Sequence, residues 1–281
     1  SSVLNIILDL VFVIRFDMGV SGVALATVIA QAVSAVLCLL KLMRMKELFD
    51  FKKSYFRLTE RHGMNIIRLG VPSGVTQAIM SMAMLVVQSL TNSFGEQFIA
   101  SNVIVMRVDG FAMLPNFSFG TTMTTYAGQN IGAGDQERVV KGSRQGLLLG
   151  VGTSAIITLA ILIFGKHLMA IFTPTEELVE LSMNMMRILA VGYIAMAVTQ
   201  CLSGVMRGAG DTMTPMWISV VTTILIRVPL AYGMVWMTKS EQFPQGRREC
   251  IFISLLISWV LGALITSIFY KRGKWKGKAV K

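Results

Sequence analysis

Seven apolar runs, each long enough to cross a lipid bilayer as a helix, constrain this chain more than any other feature. They fall near Val20–Leu42, Ile66–Leu90, Ala100–Tyr126, Val139–Phe164, Ser182–Val205, Met213–Met237 and Ile251–Phe269. About 20 residues at helical rise span a hydrocarbon core of roughly 30 Å. A water-soluble domain has nowhere to bury so many of them. Only 15% of the residues are charged and 54% are hydrophobic, against about 25% charged in ordinary soluble domains. The pattern predicts an all-α, polytopic membrane protein of about seven to eight transmembrane helices.

The net charge of +11 would suit a nucleic-acid partner were the basic residues clustered on one face. They sit instead between the apolar runs, so no nucleic-acid partner is expected. Lys41, Arg44, Lys46, Lys52, Lys53, Arg57, Arg61 and Arg68 precede the Ile66 run, and Arg138, Lys141 and Arg144 follow the Ala100 run. Lys271, Arg272, Lys274, Lys276, Lys278 and Lys281 form the tail. The alternate connectors carry Glu96 alone, then Lys166 with Glu176, Glu177 and Glu180, then Lys239, Arg247 and Arg248 with two acids. The positive-inside bias places the basic group in the cytoplasm. The cysteines Cys38, Cys201 and Cys250 are scattered, so neither a disulfide framework nor zinc spacing is expected.

Ser1–Ile14 is too short for a span and reads as the end of one, with Arg15–Gly19 as a short outer turn. The chain is therefore expected to be a carboxy-terminal piece of a longer membrane protein. Residues 1–45 would close a first lobe and 46–62 form a cytoplasmic linker. Residues 63–272 would make a second lobe of six helices, and 273–281 a basic cytoplasmic tail.

Polar groups inside apolar runs are expensive and so informative. Asn5 and Asp9 are four apart and share a helix face, and Thr27 lies on the next helix. Amide, carboxylate and hydroxyl could hold a hard cation such as sodium, or a proton. A helix cap or an interhelical hydrogen bond would use the same residues. In the Ala100 run, Asn102, Met106, Asp109, Met113, Asn116 and Gly120 recur at intervals of three and four, giving one stripe. Arg107 lies off that face and cannot pair with Asp109. Pro115 is expected to kink the helix. Asp109 is a candidate proton or substrate site, or part of a structural polar network. Further stripes are Gln77, Ser81, Met84, Gln88 and Asn92, then Tyr193, Met196, Gln200, Ser203 and Arg207. Methionine adapts to varied ligands, so a cavity lined by Met, Gln, Asn and Tyr would suit assorted organic cations. Ordinary packing would also use a methionine stripe. Arg227, beside Pro229, completes the charges expected deep in the membrane.

Several blocks in order resemble the multidrug and toxic compound extrusion (MATE) transporters. They are Leu4-Asn5-Ile-Ile-Leu-Asp9, Gly22-Val-Ala-Leu-Ala-Thr27, Arg68-Leu-Gly-Val-Pro72-Ser-Gly74 and Asn92-Ser-Phe-Gly95. Gly128-Gln129-Asn130-Ile131-Gly132-Ala133-Gly134, Gly204-Val-Met-Arg207-Gly-Ala-Gly-Asp211 and Arg227-Val-Pro229-Leu-Ala-Tyr232 complete the set. The glycine block of 128–134 lacks the preceding strand of a phosphate loop and reads as a helix exit.

The resemblance implies a twelve-helix fold of two six-helix lobes around a cavity that opens alternately to either side. It implies a secondary-active antiporter, not an enzyme, exporting small-molecule drugs or toxic organic cations in exchange for Na+ or H+, with no cofactor. Membrane lipid surrounds it, and the missing amino-terminal lobe of the same polypeptide would complete it. The family's first-lobe cation site carries over to Asn5, Asp9 and Thr27, which would ligate metal only if sodium is the coupling ion. Substrate would lie against Met84, Gln88, Asn102, Met106, Asp109, Met196 and Gln200. Acids that some relatives carry on the seventh and tenth helices are absent, the corresponding spans offering Gln77 and Gln200. A flippase for a lipid-linked precursor, from the same superfamily, is the alternative; it would need a cationic cavity.

Overall fold

The computed structural model describes residues 2–44 and 60–277. The inter-lobe residues 46–59, with Lys46, Lys52, Lys53 and Arg57, lie outside the described residues, as do Lys278 and Lys281 at the tail. All regular structure among the described residues is helical, and seven helices are long and apolar enough to cross a membrane. Every predicted run is one of them, usually with an added turn at each end: the Ala100–Tyr126 run becomes a helix from Glu96 to Gly132. The all-α polytopic prediction holds.

The chain divides into two compact units, Ser1–Gly63 and Met64–Lys281. In the first, α1 (Ser2–Leu10) widens into a π turn at Val11–Arg15, and α2 (Gly19–Arg44) returns antiparallel. The reversal needs backbone with positive φ, at Asp17 (50°) and Gly19 (51°). Close packing follows at Gly22, where a Cβ would stand 2.9 Å from that of Met18 and 3.0 Å from that of Phe12.

The second unit contains α3 (Glu60–Asn92, entering from Met64), α4 (Glu96–Gly132), α5 (Gln136–Ala170) and α6 (Glu176–Gly208). The unit's fifth span is built from α7 (Met213–Ser219), a π-helical stretch (Val220–Arg227) and α8 (Val228–Met237), and α9 (Glu249–Lys271) closes the bundle as the sixth. The most buried of these is α6, which packs on α4, α5 and α9. Lipid tails are as apolar as leucine, so membrane helices associate through small residues and polar links rather than hydrophobic contrast. Both devices are here. Gly204 and Gly208, one turn apart on α6, meet α4 so closely that a Cβ on Gly204 would collide with the carbonyl oxygen of Gly120. Asn116 on α4 donates to the Tyr193 carbonyl (3.3 Å) and accepts from the Ser154 hydroxyl (2.7 Å), joining α4, α6 and α5. Thr158 adds a bond to the Ala190 carbonyl at 2.7 Å.

The sequence repeats Gly-Ala-Gly-Asp at 132–135 and 208–211, and the two copies build the same turn. Gly134 and Gly210 adopt φ of 78° and 85°, the left-handed backbone that ends helices. The next amide then reaches back, from Asp135 to Asn130 O and from Asp211 to Met206 O, at 2.9 Å in both. Each Asp goes on to cap the following helix. Asp135 accepts from Arg138 N at 2.9 Å, and Asp211 from Thr214 N at 3.2 Å. The 128–134 block is thus the exit of α4, as its glycines predict. Pro115 does not interrupt α4, which is continuous through it. Beyond α9, Trp275 stacks on Tyr270 and buries itself, so the start of the basic tail is pinned to the bundle.

Candidate functional site: a polar cavity inside the second unit

Three of the polar stripes converge. α3 contributes Gln77, Ser81, Met84 and Gln88, α4 contributes Asn102, Met106, Asp109 and Met113, and α6 contributes Met196 to a cavity of about 340 Å³. Phe252 and Trp259 of α9 form the apolar wall. Six of the seven residues expected to meet substrate line this cavity; Gln200 lines a smaller one, of about 90 Å³, that shares Met80, Met196, Arg227 and Trp259 with it. Tyr232 on α8 ties α3 to the bundle through the Val86 carbonyl at 3.2 Å.

Among the described residues Asp109 is the one carboxylate lining the larger cavity and Arg227 the one cation. Tyr193, fully buried on α6, donates its hydroxyl to Asp109 Oδ1 at 2.9 Å and also approaches the Met186 sulfur at 3.2 Å. Its ring packs on Trp259, centroids 6.1 Å apart. The acid is therefore held in place by a group 84 residues away in the sequence. No ion pair joins Asp109 to Arg227 among the described residues, and Arg227 Nε is buried without a hydrogen-bond partner. Asn102 and Gln88 spend their amides locally, Asn102 on the Met106 sulfur at 3.6 Å and Gln88 on Asn92 at 2.9 Å.

Not every member of a stripe faces the cavity. Asn116 and Gly120 are taken up by packing against α6, Gly120 lying where a Cβ would stand 3.3 Å from the Gln200 carbonyl. Arg107 departs from its expected depth. It is exposed, and its guanidinium lies 5.9 Å from the Phe172 ring centroid just past the end of α5. A long arginine stem reaches the helix ends in this way, keeping the charge wet. The deep cations are instead Arg227 and Arg207, both lining the smaller cavity. The stripe containing Tyr193, Gln200 and Arg207 carried the signal for that, but a charge in a last helical turn reads equally as topology.

The first unit brings the other candidate residues together. Asn5 Nδ2 lies 3.4 Å from Thr27 Oγ1, and that hydroxyl donates to the Val23 carbonyl at 2.9 Å. Asp9, one turn along α1, has a buried carboxylate oxygen, Oδ1, with no hydrogen-bond partner. The donor set is all oxygen plus one amide, suited to a proton or a hard monovalent cation. No cluster of three His, Cys, Asp or Glu side chains exists among the described residues. Any further ligands for a cation would come from groups other than these three.

Comparison with known proteins gives this architecture a place. The chain is 26% identical over 281 residues to the "Probable multidrug resistance protein NorM" of Thermotoga maritima, covering 99% of this chain and 59% of that protein. It is 26% identical over 275 residues to the "Probable multidrug resistance protein YpnP" of Bacillus subtilis, covering 98% and 59%. The chain thus spans about three-fifths of the length of these relatives. Its fold matches a solved outward-facing multidrug resistance MATE family transporter of the MOP superfamily. The TM-score is 0.87 at 21% identity, covering 97% of this chain and 60% of that one. The MatE family pattern matches residues 72–233, more than half of the chain and all of the cavity-lining part of α4 and α6. This chain belongs to the MatE family of multi-pass membrane transporters.

Proposed function

We propose that this chain is the carboxy-terminal part of a secondary-active multidrug efflux antiporter. It would export organic, often cationic, compounds in exchange for Na+ or H+. The observation that carries this reading is the larger cavity of the second unit, where one carboxylate, Asp109, stands among methionines, glutamines and aromatic rings. Such a surface offers a cation one carboxylate, opposed in sign by Arg227 of the same cavity, and many adaptable contacts. Tyr193 keeps the carboxylate aimed, so its attraction is pre-organised.

The coupling ion is assigned to Asn5, Asp9 and Thr27, on the support of the unpartnered oxygen of Asp9. Binding and release of a proton or sodium at that carboxylate would bias which way the cavity opens. The protein would reside in a cytoplasmic membrane, with the inter-lobe linker and carboxy terminus inside, in keeping with the basic connectors. Membership of the family and the likeness to multidrug resistance proteins support the activity.

The test is ethidium efflux from cells carrying the full-length polypeptide, at fixed pH with and without sodium. Asp9→Asn should abolish gradient-driven efflux while membrane insertion persists. Asp109→Asn should weaken ethidium binding by about 10-fold, the loss of one charge-assisted contact. Undiminished efflux in both variants would refute the assignment.

A further inference from the structure

We propose that the smaller cavity is a binding site for one oxyanion, a carboxylate or phosphate group, gripped by Arg207 and Arg227. Two arginines and no carboxylate line this space of about 90 Å³ among the described residues. A water needs roughly 10–15 Å³, so the space admits an oxyanion with part of its hydration. Arg227 Nε is buried without a hydrogen-bond partner; the charge of Asp109 reaches this guanidinium but leaves that donor without an acceptor, which an oxyanion would supply. Arginine presents planar paired donors that fit carboxylate and phosphate oxygens.

The neutral lining suits the same ligand. Thr76, Thr199, Thr222 and Ser258 donate their hydroxyl protons to their own helices. Ser203, Ser219 and Thr223 make no such bond among the described residues and remain available as donors beside the Gln200 amide. The backbone contributes too. Val220–Arg227 is π-helical, a wider turn that recurs at functional sites, and it carries Thr223 and Arg227. Among the described residues Asp109 on α4 is the one acid near Arg227, reached through the larger cavity, and no acid of α3 or α9 lines either space.

Because Arg227 lines both cavities, anion and cation binding are linked. An anion on Arg207 and Arg227 balances the positive charge that would otherwise repel a cation near Asp109. By reciprocity each ligand tightens the other by the same factor. This linkage rests on the cation-binding reading above; the anion site itself does not.

The test uses the full-length polypeptide purified in neutral detergent, with inorganic phosphate titrated calorimetrically at constant ionic strength. One saturable phosphate per chain is expected, weakened about 10-fold or more in R207Q and in R227Q. If either glutamine variant is not monodisperse, R207K and R227K replace it; they keep the charge, lose the paired donors and should still weaken phosphate. No saturable binding, or binding unchanged in both arginine variants, overturns the site. Nanodiscs of phosphatidylglycerol and of phosphatidylcholine identify the source: phosphate displaced by the first lipid alone marks a lipid headgroup, and phosphate retained in both marks a free anion. Saturating phosphate should lower the ethidium Kd by about 5-fold or more. Ethidium binding indifferent to phosphate overturns the linkage. Phosphate binding with no ethidium binding at all leaves the anion site standing and removes the efflux reading.

Discussion

Gly192 should be among the least replaceable residues of α6. A Cβ built there would lie 2.5 Å from Trp259 Cε3 and 3.1 Å from both Trp259 Cζ3 and Leu256 Cδ1. Carbon atoms rest at about 3.5–4.0 Å, so Gly192→Ala must open this contact by roughly 1 Å. The indole cannot swing freely, since Tyr193 packs against it at 6.1 Å between centroids. Overpacking of this kind costs about 1–3 kcal/mol, or a melting shift on the order of 5 °C for a chain of this size. Gly152 on α5 is the control, having nothing within 4 Å of its notional Cβ. Alanine there should be neutral or stabilising by up to about 1 kcal/mol. Heating detergent-solubilised protein and following the surviving monodisperse peak reads both. Trp259→Leu removes the ring, so the penalty of Gly192→Ala should fall by more than half in that background. Equal stability of the Gly192 and Gly152 variants, or a penalty unaffected by Trp259→Leu, would refute the steric argument. Because Trp259 also lines both cavities, a ring pushed aside should weaken ethidium and phosphate binding together.

Two further substitutions test the bundle. Asn116→Ala removes the links to Tyr193 and Ser154; interhelical bonds in membranes average about 0.6 kcal/mol each, with a maximum near 1.7, so a loss of roughly 1–3 kcal/mol is expected by the same thermal assay. Adding Ser154→Ala should cost less than it does in the parent protein, because its partner is already gone. Asp135→Ala removes the cap that accepts from Arg138 N and should cost about 1 kcal/mol, seen as faster amide exchange confined to the first turn of α5.

The seven spans were legible because crossing lipid imposes a length and an apolarity that a sequence cannot conceal. The faces of those spans were also legible. Intervals of three and four put Asp109, Met106 and Asn102 on one side of α4, and the structure gives that side to a cavity. Which helix answers each face was not. Nothing near Asp109 announces Tyr193, because a hydrogen bond between helices leaves no periodic trace in either. Asn116 sits on the same stripe as Asp109, yet it serves packing, since a stripe wider than the cavity must also meet the neighbouring helix. Arg107 shows the converse limit: position along a span does not fix depth when the side chain is long enough to reach its end.

The arginines carry this reasoning furthest. Arg207 lies in the last turn of α6 and Arg227 within the next span, twenty residues on, and in the sequence the first reads equally as topology. Folding lines one space with both, because the turn at 208–211 reverses the chain into the span that carries residue 227. Burying either guanidinium in an apolar bundle is costly unless something is gained. Their convergence on a lining without a carboxylate therefore argues for a ligand that supplies the missing negative charge. The same logic, with the sign reversed, applies to the lone oxygen of Asp9. If both hold, the molecule carries two incomplete charges in separate units, each completed by a different ion. Phosphate should then change the ethidium affinity without altering which cation drives efflux, and a phosphate-dependent switch between sodium and proton coupling would contradict that separation.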